Sequence, residues 1–161
     1  MQQYILKNNI LNLKVKKSAF AVRVVLFFLA FAFFVFPIVV TVVGLLLESG
    51  LHFGYFIGIG LFSLMGFYLL RLSLWNTDGE ETIEILQNKI IYEANYGWFK
   101  DGKKEFAITN PNYSFKSVGY EEDNEGVLII SSEKSQMESV VKMPMEDLES
   151  LLFILQPVTN Y

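Results

Sequence analysis

Two uncharged apolar runs dominate the pattern of hydrophobic positions along the chain. The first covers residues 24–47 and the second covers residues 51–70, with only residues 48–50 between them. As helices they would extend about 36 and 30 Å, against a hydrocarbon core of about 30 Å. Because so short a link forces the two helices to run antiparallel, the pattern predicts a transmembrane hairpin.

After the runs, short strand-like stretches are separated by clusters of turn residues. They predict six strands of an antiparallel sheet or small barrel, at residues 82–86, 90–96, 104–109, 113–120, 127–132 and 137–143. A helix should close this domain, because Pro144 suits a first helical position and acidic residues follow it. The helix carries an apolar stripe at helical spacing, made of Leu148, Leu151, Leu152 and Leu155.

The basic segment before the first run has a weaker pattern. Leu11, Leu13 and Val15 alternate with polar residues, which predicts a short strand added to the soluble sheet. The segment also fits a disordered arm at anionic lipid headgroups, and the sequence leaves both interpretations open. The predicted organisation is therefore an N-terminal arm at 1–19, a hairpin at 20–74 and a soluble β domain at 75–161.

Charge divides the chain into two unlike parts. Residues 1–71 hold six basic residues and one acidic residue (net +5), whereas residues 72–161 hold seven basic and 16 acidic residues (net −9). Basic residues flank both apolar runs and are absent between them, so the positive-inside rule predicts that both termini are cytoplasmic, in a bacterial inner membrane. A chain without cysteine fits a reducing compartment. The acidic domain predicts no nucleic-acid partner.

Glycines and interfacial residues are the candidate contacts of the hairpin. Gly54 and Gly58 form a Gly-x-x-x-Gly motif that allows close helix approach, either by the first span or by a second copy of the chain. Arg71 and Trp75 are predicted to anchor the hairpin at the headgroup level. Since the runs contain no charged residue, the pattern disfavours a channel or transporter formed by this chain alone.

One loop of the soluble domain is unusually aromatic and basic. It contains the candidate contact residues Trp98, Phe99, Lys100, Lys103 and Lys104. These residue types suit insertion at a membrane surface, or a hot spot for a protein partner. The third interpretation is an ordinary hairpin with one aromatic side chain folded into the core.

The remaining polar residues indicate no reaction chemistry. His52 is the single histidine, and the acidic turn at 121–125 lacks the spacing of an EF-hand. No serine–histidine pair or second histidine accompanies the carboxylates of Glu80, Glu81 and Glu84. The sequence therefore predicts no catalytic residue, no metal site and no cofactor.

The order of elements resembles the pleckstrin-homology-like (PH-like) fold, in which short antiparallel strands are followed by one C-terminal helix. Together with the hairpin, residues 20–157 are similar to small bacterial membrane proteins that carry PH-like domains. The eukaryotic PH domains that bind phosphoinositides use a basic loop between the first two strands. The corresponding loop here, 87–89, has one lysine, which argues against that activity.

These patterns favour a non-enzymatic protein that binds a protein partner at the membrane, as a scaffold or an accessory subunit of a membrane complex. Two alternatives remain: a ligand-gated effector whose β domain senses a small molecule, and an immunity-type membrane protein. The domain has no arginine after Arg71, which argues against recognition of a phosphorylated ligand.

Overall fold

The computed structural model describes residues 3–47, 50, 52–133 and 135–156, except the side chain of Glu121. The chain forms two compact units. The helical unit covers Lys17–Thr77, and the β unit combines residues 1–16 with residues 78–161. The predicted link at Glu48 and Ser49 lies outside the described residues.

The helical unit contains two long helices, α1 (Phe20–Leu46) and α2 (Phe53–Asp78). Helix α2 continues eight residues beyond Leu70, where the apolar run ends. Near this end the side chains of Ser73, Asn76 and Thr77 each donate a hydrogen bond of 2.7–2.8 Å to the carbonyl four residues earlier. These bonds satisfy the polar side chains inside the helix, so the polar sequence remains helical.

The two helices pack through small and aromatic residues. A Cβ placed on Gly66 would lie 3.0 Å from a ring carbon of Phe34 and 3.2 Å from the backbone oxygen of Ala30. Farther along α2, the ring of Phe62 lies 5.5 Å from that of Phe33, measured between ring centroids. The absence of a side chain at Gly66 therefore allows the close approach of α1.

Most of the helical surface is apolar and exposed. The buried residues of α1 and α2, among those described, are Ala30, Pro37, Gly66, Ser73 and Leu74. A helix in the core of a soluble protein would instead bury most of its apolar side chains. By length and composition both helices can cross a membrane.

The β unit contains two antiparallel sheets. The first has five strands in sequence order: β1 (Tyr4–Lys7), β2 (Ile10–Lys14), β3 (Glu80–Ile85), β4 (Lys89–Asn95) and β5 (Lys100–Ala107). The second contains β6 (Asn112–Ser117), β7 (Glu125–Ser131), β8 (Gln136–Glu138) and β9 (Met143–Pro144), and β8 and β9 both pair with β7. A 3₁₀ turn (Glu121–Asp123) precedes β7, and α3 (Met145–Leu155) ends the unit. The predicted order of two apolar helices, antiparallel strands and a C-terminal helix is confirmed.

The strands differ from the prediction in number, since nine are described instead of six. The N-terminal segment forms two strands, turned at Asn8 and Asn9, which both have positive φ. The predicted strand at 137–143 is divided into β8 and β9. Between them the Ser139 hydroxyl accepts a 2.9 Å hydrogen bond from the Leu128 N–H, which interrupts the regular ladder.

The buried core residues of the β unit come from both sheets and from α3. Leu11 and Leu13 of β2 are fully buried, and so are the α3 residues Leu148 and Leu151. Leu155 is also buried, whereas Leu152, part of the predicted stripe, is half-buried. Helix α3 approaches β7 closely at Gly126, where an added Cβ would lie 2.8 Å from a methyl carbon of Leu148.

Candidate interaction surface

A tight turn connects β4 and β5 and carries the aromatic candidate residues. The Tyr96 N–H donates to the Phe99 oxygen at 2.9 Å, which leaves Gly97 and Trp98 at the tip. Gly97 has a φ of 84°, a conformation that glycine adopts without steric cost. The Asn95 side-chain oxygen also accepts from the Gly97 N–H, at 2.9 Å. We call Tyr96–Phe99 the Trp98 turn.

The two adjacent aromatic residues of the Trp98 turn have different environments. Phe99 stacks on the buried Tyr96, with ring centroids 4.9 Å apart and an angle of 18° between the planes. Trp98 is 66% exposed. Stacking on Tyr96 thus holds the ring of Phe99 in place, whereas the indole of Trp98 lies largely exposed at the surface of the β unit.

The three candidate lysines extend from the turn along β5. Lys100 lies at the start of the strand, with Nζ 3.3 Å from Oε2 of Glu93. Lys103 and Lys104 are exposed farther along, and within the described part of the chain neither forms a salt bridge. Of the described strands, β4 alone pairs with β5, so these two lysines occupy an edge of the sheet.

The other candidates lie in the helical unit. Arg71 and Trp75 are half-buried residues of α2, and their spacing of four places them on one helix face. Gly54 and Gly58 line a cleft of about 140 Å³ between the helices, facing Phe36 and other residues of α1. An added Cβ at either glycine would meet no atom within 4 Å. The structure therefore puts the close approach at another glycine, nearer the end of α2.

A buried carboxylate is the residue whose role the sequence interpretation missed. Glu81 is fully buried, and its carboxylate accepts hydrogen bonds from the Tyr92 hydroxyl (2.8 Å) and from the N–H groups of Val140 (2.8 Å) and Val141 (3.1 Å). Desolvation by burial raises the pKa of the Glu81 carboxyl, although the three hydrogen bonds oppose this rise. The carboxylate thus connects β3 to the segment between β8 and β9.

A signal for Glu81 was present in the sequence. Because side chains of a strand alternate between faces, Glu81 shares its face with Ile83 and Ile85, which are buried. Glu80 and Glu84 lie on the opposite, partly exposed face. The alternation of side chains along β3 would have distinguished the inward carboxylate of Glu81 from those of Glu80 and Glu84.

No group of three metal-binding side chains occurs among the residues that the structure describes. The acidic turn is held by internal bonds, since Asp123 Oδ2 accepts from the Tyr120 N–H at 3.3 Å. No protein-family model, curated protein or solved structure matches the chain.

Proposed function

We propose that the protein is a non-enzymatic, membrane-anchored binding protein, in which the β unit presents a docking surface for a protein partner. The observation that carries this proposal is the pairing of β2 with β3, since β2 precedes α1 in the sequence and β3 follows α2. Lys14 of β2 is the partner of Glu80 of β3, so the helical hairpin is inserted between two adjacent strands. Two chain connections, instead of one flexible linker, join the β unit to its anchor.

The exposed apolar helices support a bilayer as their surroundings. The lysines that precede α1, together with Arg71 near the end of α2, favour cytoplasmic placement of both termini in a bacterial inner membrane. A periplasmic reporter fused to the C-terminus should then be inactive. Strong reporter activity there would reverse the proposed orientation.

The element order supports a PH-like identity for the β unit. Strands β2–β5 form a meander, β6–β8 form a second sheet, and α3 follows them. The helical hairpin then occupies the connection between the first two strands of that arrangement, and β1 is an addition at the edge. Folds of this kind serve many functions, so the fold itself does not identify the partner.

Charge complementarity favours the β5 edge as the docking surface. Lys103 and Lys104 are exposed cations without a salt bridge among the described residues, in a part of the chain with 16 acidic and seven basic residues. An acidic patch on a partner would pair with them, whereas the remaining acidic surface would repel it. The partner is therefore a membrane or membrane-associated protein with an acidic contact patch.

Affinity purification of the full chain in mild detergent, followed by mass spectrometry, tests the proposal. A stoichiometric partner should be recovered with the wild type and lost with Lys103→Glu combined with Lys104→Glu. Lys7→Glu is the matched control, because Lys7 is an exposed lysine on β1, at the opposite edge of the same sheet. Equal recovery with all three proteins would remove the β5 edge from the proposal.

A further inference from the structure

We propose that the Trp98 turn is a second membrane contact, seated in the headgroup region of the bilayer that holds α1 and α2. This inference rests on the proposed membrane arrangement and assigns lipid, not protein, as the ligand of the turn. It separates the five candidate contact residues into two surfaces. Trp98 serves the lipid interface, and Lys103 and Lys104 remain on the sheet edge.

Within the β unit, the turn lies where the chain passes to the apolar helices. The final row of paired residues in the first sheet runs through Lys14, Glu80, Asn95 and Lys100. Beyond this row the chain continues from Lys14 towards α1, returns from α2 before Glu80, and forms the Trp98 turn after Asn95. Both connections to the helices and the turn are therefore at one end of one sheet.

A contact within the β unit agrees with this placement. An added Cβ on Gly97 would lie 3.2 Å from the Cβ of Asp78, the residue at which the chain re-enters the β unit after the helices. Next to it, the Val15 N–H donates a 2.9 Å hydrogen bond to the Gly79 oxygen, which holds the two connecting segments together. The residue that follows Gly97 at the tip is Trp98.

The side chains at this end suit a lipid interface. Trp98 is 66% exposed at the tip of the turn, and tryptophan prefers the headgroup level, where its ring is partly desolvated and its N–H stays hydrated. Lys14 and Lys100 are exposed in the final row and can reach lipid phosphates. Lys16 pairs with Glu125 at 3.8 Å, which neutralises one carboxylate near this end.

Distance along the sheet excludes the other candidate lysines from the same contact. Lys104 is opposite Tyr92, three positions along β4 from Asn95, which is opposite Lys100. At about 3.3 Å per residue, Lys104 is set back by about 10 Å from the final row. With Asp101 and Glu105 also on β5, the strand lacks the dense positive charge of a polybasic lipid site.

Fluorescence of the full chain in lipid nanodiscs tests the inference, because Trp75 and Trp98 are the two tryptophans of the protein. In Trp75→Phe, lipids brominated near the headgroup should quench Trp98, and acrylamide should quench it weakly. The matched control is Leu86→Trp in the Trp75→Phe, Trp98→Phe background, since Leu86 is 38% exposed beside the opposite turn of β4. That probe should be quenched by acrylamide and not by the brominated lipid.

Each outcome supports or overturns the inference. Trp98 emission that is insensitive to brominated lipid overturns it, whether acrylamide reaches the indole or a protein contact shields it. Equal lipid quenching of Trp98 and of the Leu86→Trp probe also overturns it, because lipid would then contact both ends of the sheet and not the Trp98 end alone. In Trp98→Phe, the emission comes from Trp75 alone. If brominated lipid quenches Trp75 but not Trp98, only the contact of the turn with lipid is rejected. If it quenches neither tryptophan, the membrane arrangement itself is rejected.

Discussion

The Tyr92 hydroxyl and the Glu81 carboxylate form a hydrogen bond of 2.8 Å on the inner face of the first sheet. Glu81 also accepts from the N–H groups of Val140 and Val141. No described cation accompanies this carboxylate, so desolvation outweighs its hydrogen bonds and the pKa of Glu81 is raised above its ordinary value of 4.5. The bonds from Val140 and Val141 join β3 to a segment about 60 residues later in the sequence, and the raised pKa of Glu81 makes this attachment dependent on pH.

We expect Glu81 to lower stability as pH rises above 4.5. The pKa of Glu81 is higher in the folded than in the unfolded state, so between these two pKa values the folded state binds more protons. The free energy of unfolding therefore falls as pH rises through this window towards neutral pH. Glu81→Gln should remove this slope, and each unit of elevation corresponds to about 1.4 kcal/mol. Thermal unfolding of the full chain in detergent across a pH series measures the difference.

Tyr92→Phe provides a directional control for this prediction. The Tyr92 hydroxyl donates a hydrogen bond that lowers the pKa of Glu81, so its removal should raise this pKa further. The pH range over which stability falls should then extend to higher pH. Stability profiles of the wild type and Glu81→Gln that run parallel from acidic to neutral pH would contradict the assignment of the slope to Glu81.

Gly66→Leu should destabilise the helical hairpin by about 1–3 kcal/mol, because overpacking at a tight contact shifts the helices. The added Cβ alone would lie 3.2 Å from the Ala30 backbone oxygen, which cannot rotate away. Gly58→Leu is the matched control and should be nearly neutral, since open space surrounds that position. Thermal melting monitored by circular dichroism in detergent compares the two, and equal losses would refute the difference between the glycines.

Leu151→Asp should prevent folding of the β unit, because an unpaired carboxylate would enter the core. Phe153→Asp changes a residue of the same helix that is 80% exposed and should alter stability by about 0.5 kcal/mol or less. The readout is the yield of monodisperse protein and its thermal midpoint. Similar behaviour of the two variants would show that α3 does not pack on β7 through its Leu151 face.

Leu11→Ala should destabilise the β unit by about 2–5 kcal/mol, the range for large-to-small changes in a core. Ile10→Ala is its neighbour on the exposed face, at 37% exposure, and should cost far less. Denaturant unfolding followed by tryptophan fluorescence distinguishes them. If Leu11→Ala were as mild as Ile10→Ala, the N-terminal segment would be an arm and not a part of the sheet.

Strong periodic signals made much of the fold predictable. The apolar runs gave both long helices, turn residues gave the strands from β3 to β7, and the leucine stripe gave α3. Sequence pattern could not decide the N-terminal segment, because β2 joins the sheet by pairing with β3, and the whole helical hairpin separates the two strands in the sequence. Long-range pairing of this kind leaves no local signal.

The candidate surface was predicted only as a composition of residue types. Phe99 and Trp98 are adjacent and chemically alike, yet the stacking on Tyr96 separates a fixed ring from an exposed one. The glycine motif was similarly incomplete: residue spacing identified Gly54 and Gly58, but the relative shift of the helices decides which glycine meets a neighbour, and that is Gly66. Both distinctions depend on packing across elements, which spacing along one element does not encode.

The insertion of α1 and α2 between two paired strands sets an order for biosynthesis. β1 and β2 leave the ribosome before either helix, whereas β3, which pairs with the other side of β2, is synthesised only after both helices. Until β3 is synthesised, the β1–β2 hairpin exposes the unpaired edge of β2, and such an edge favours aggregation. Antiparallel helices return the chain close to where it departed, so their formation lowers the entropy lost in joining β2 to β3. In the proposed arrangement, insertion of the two helices into the membrane therefore precedes completion of the first sheet.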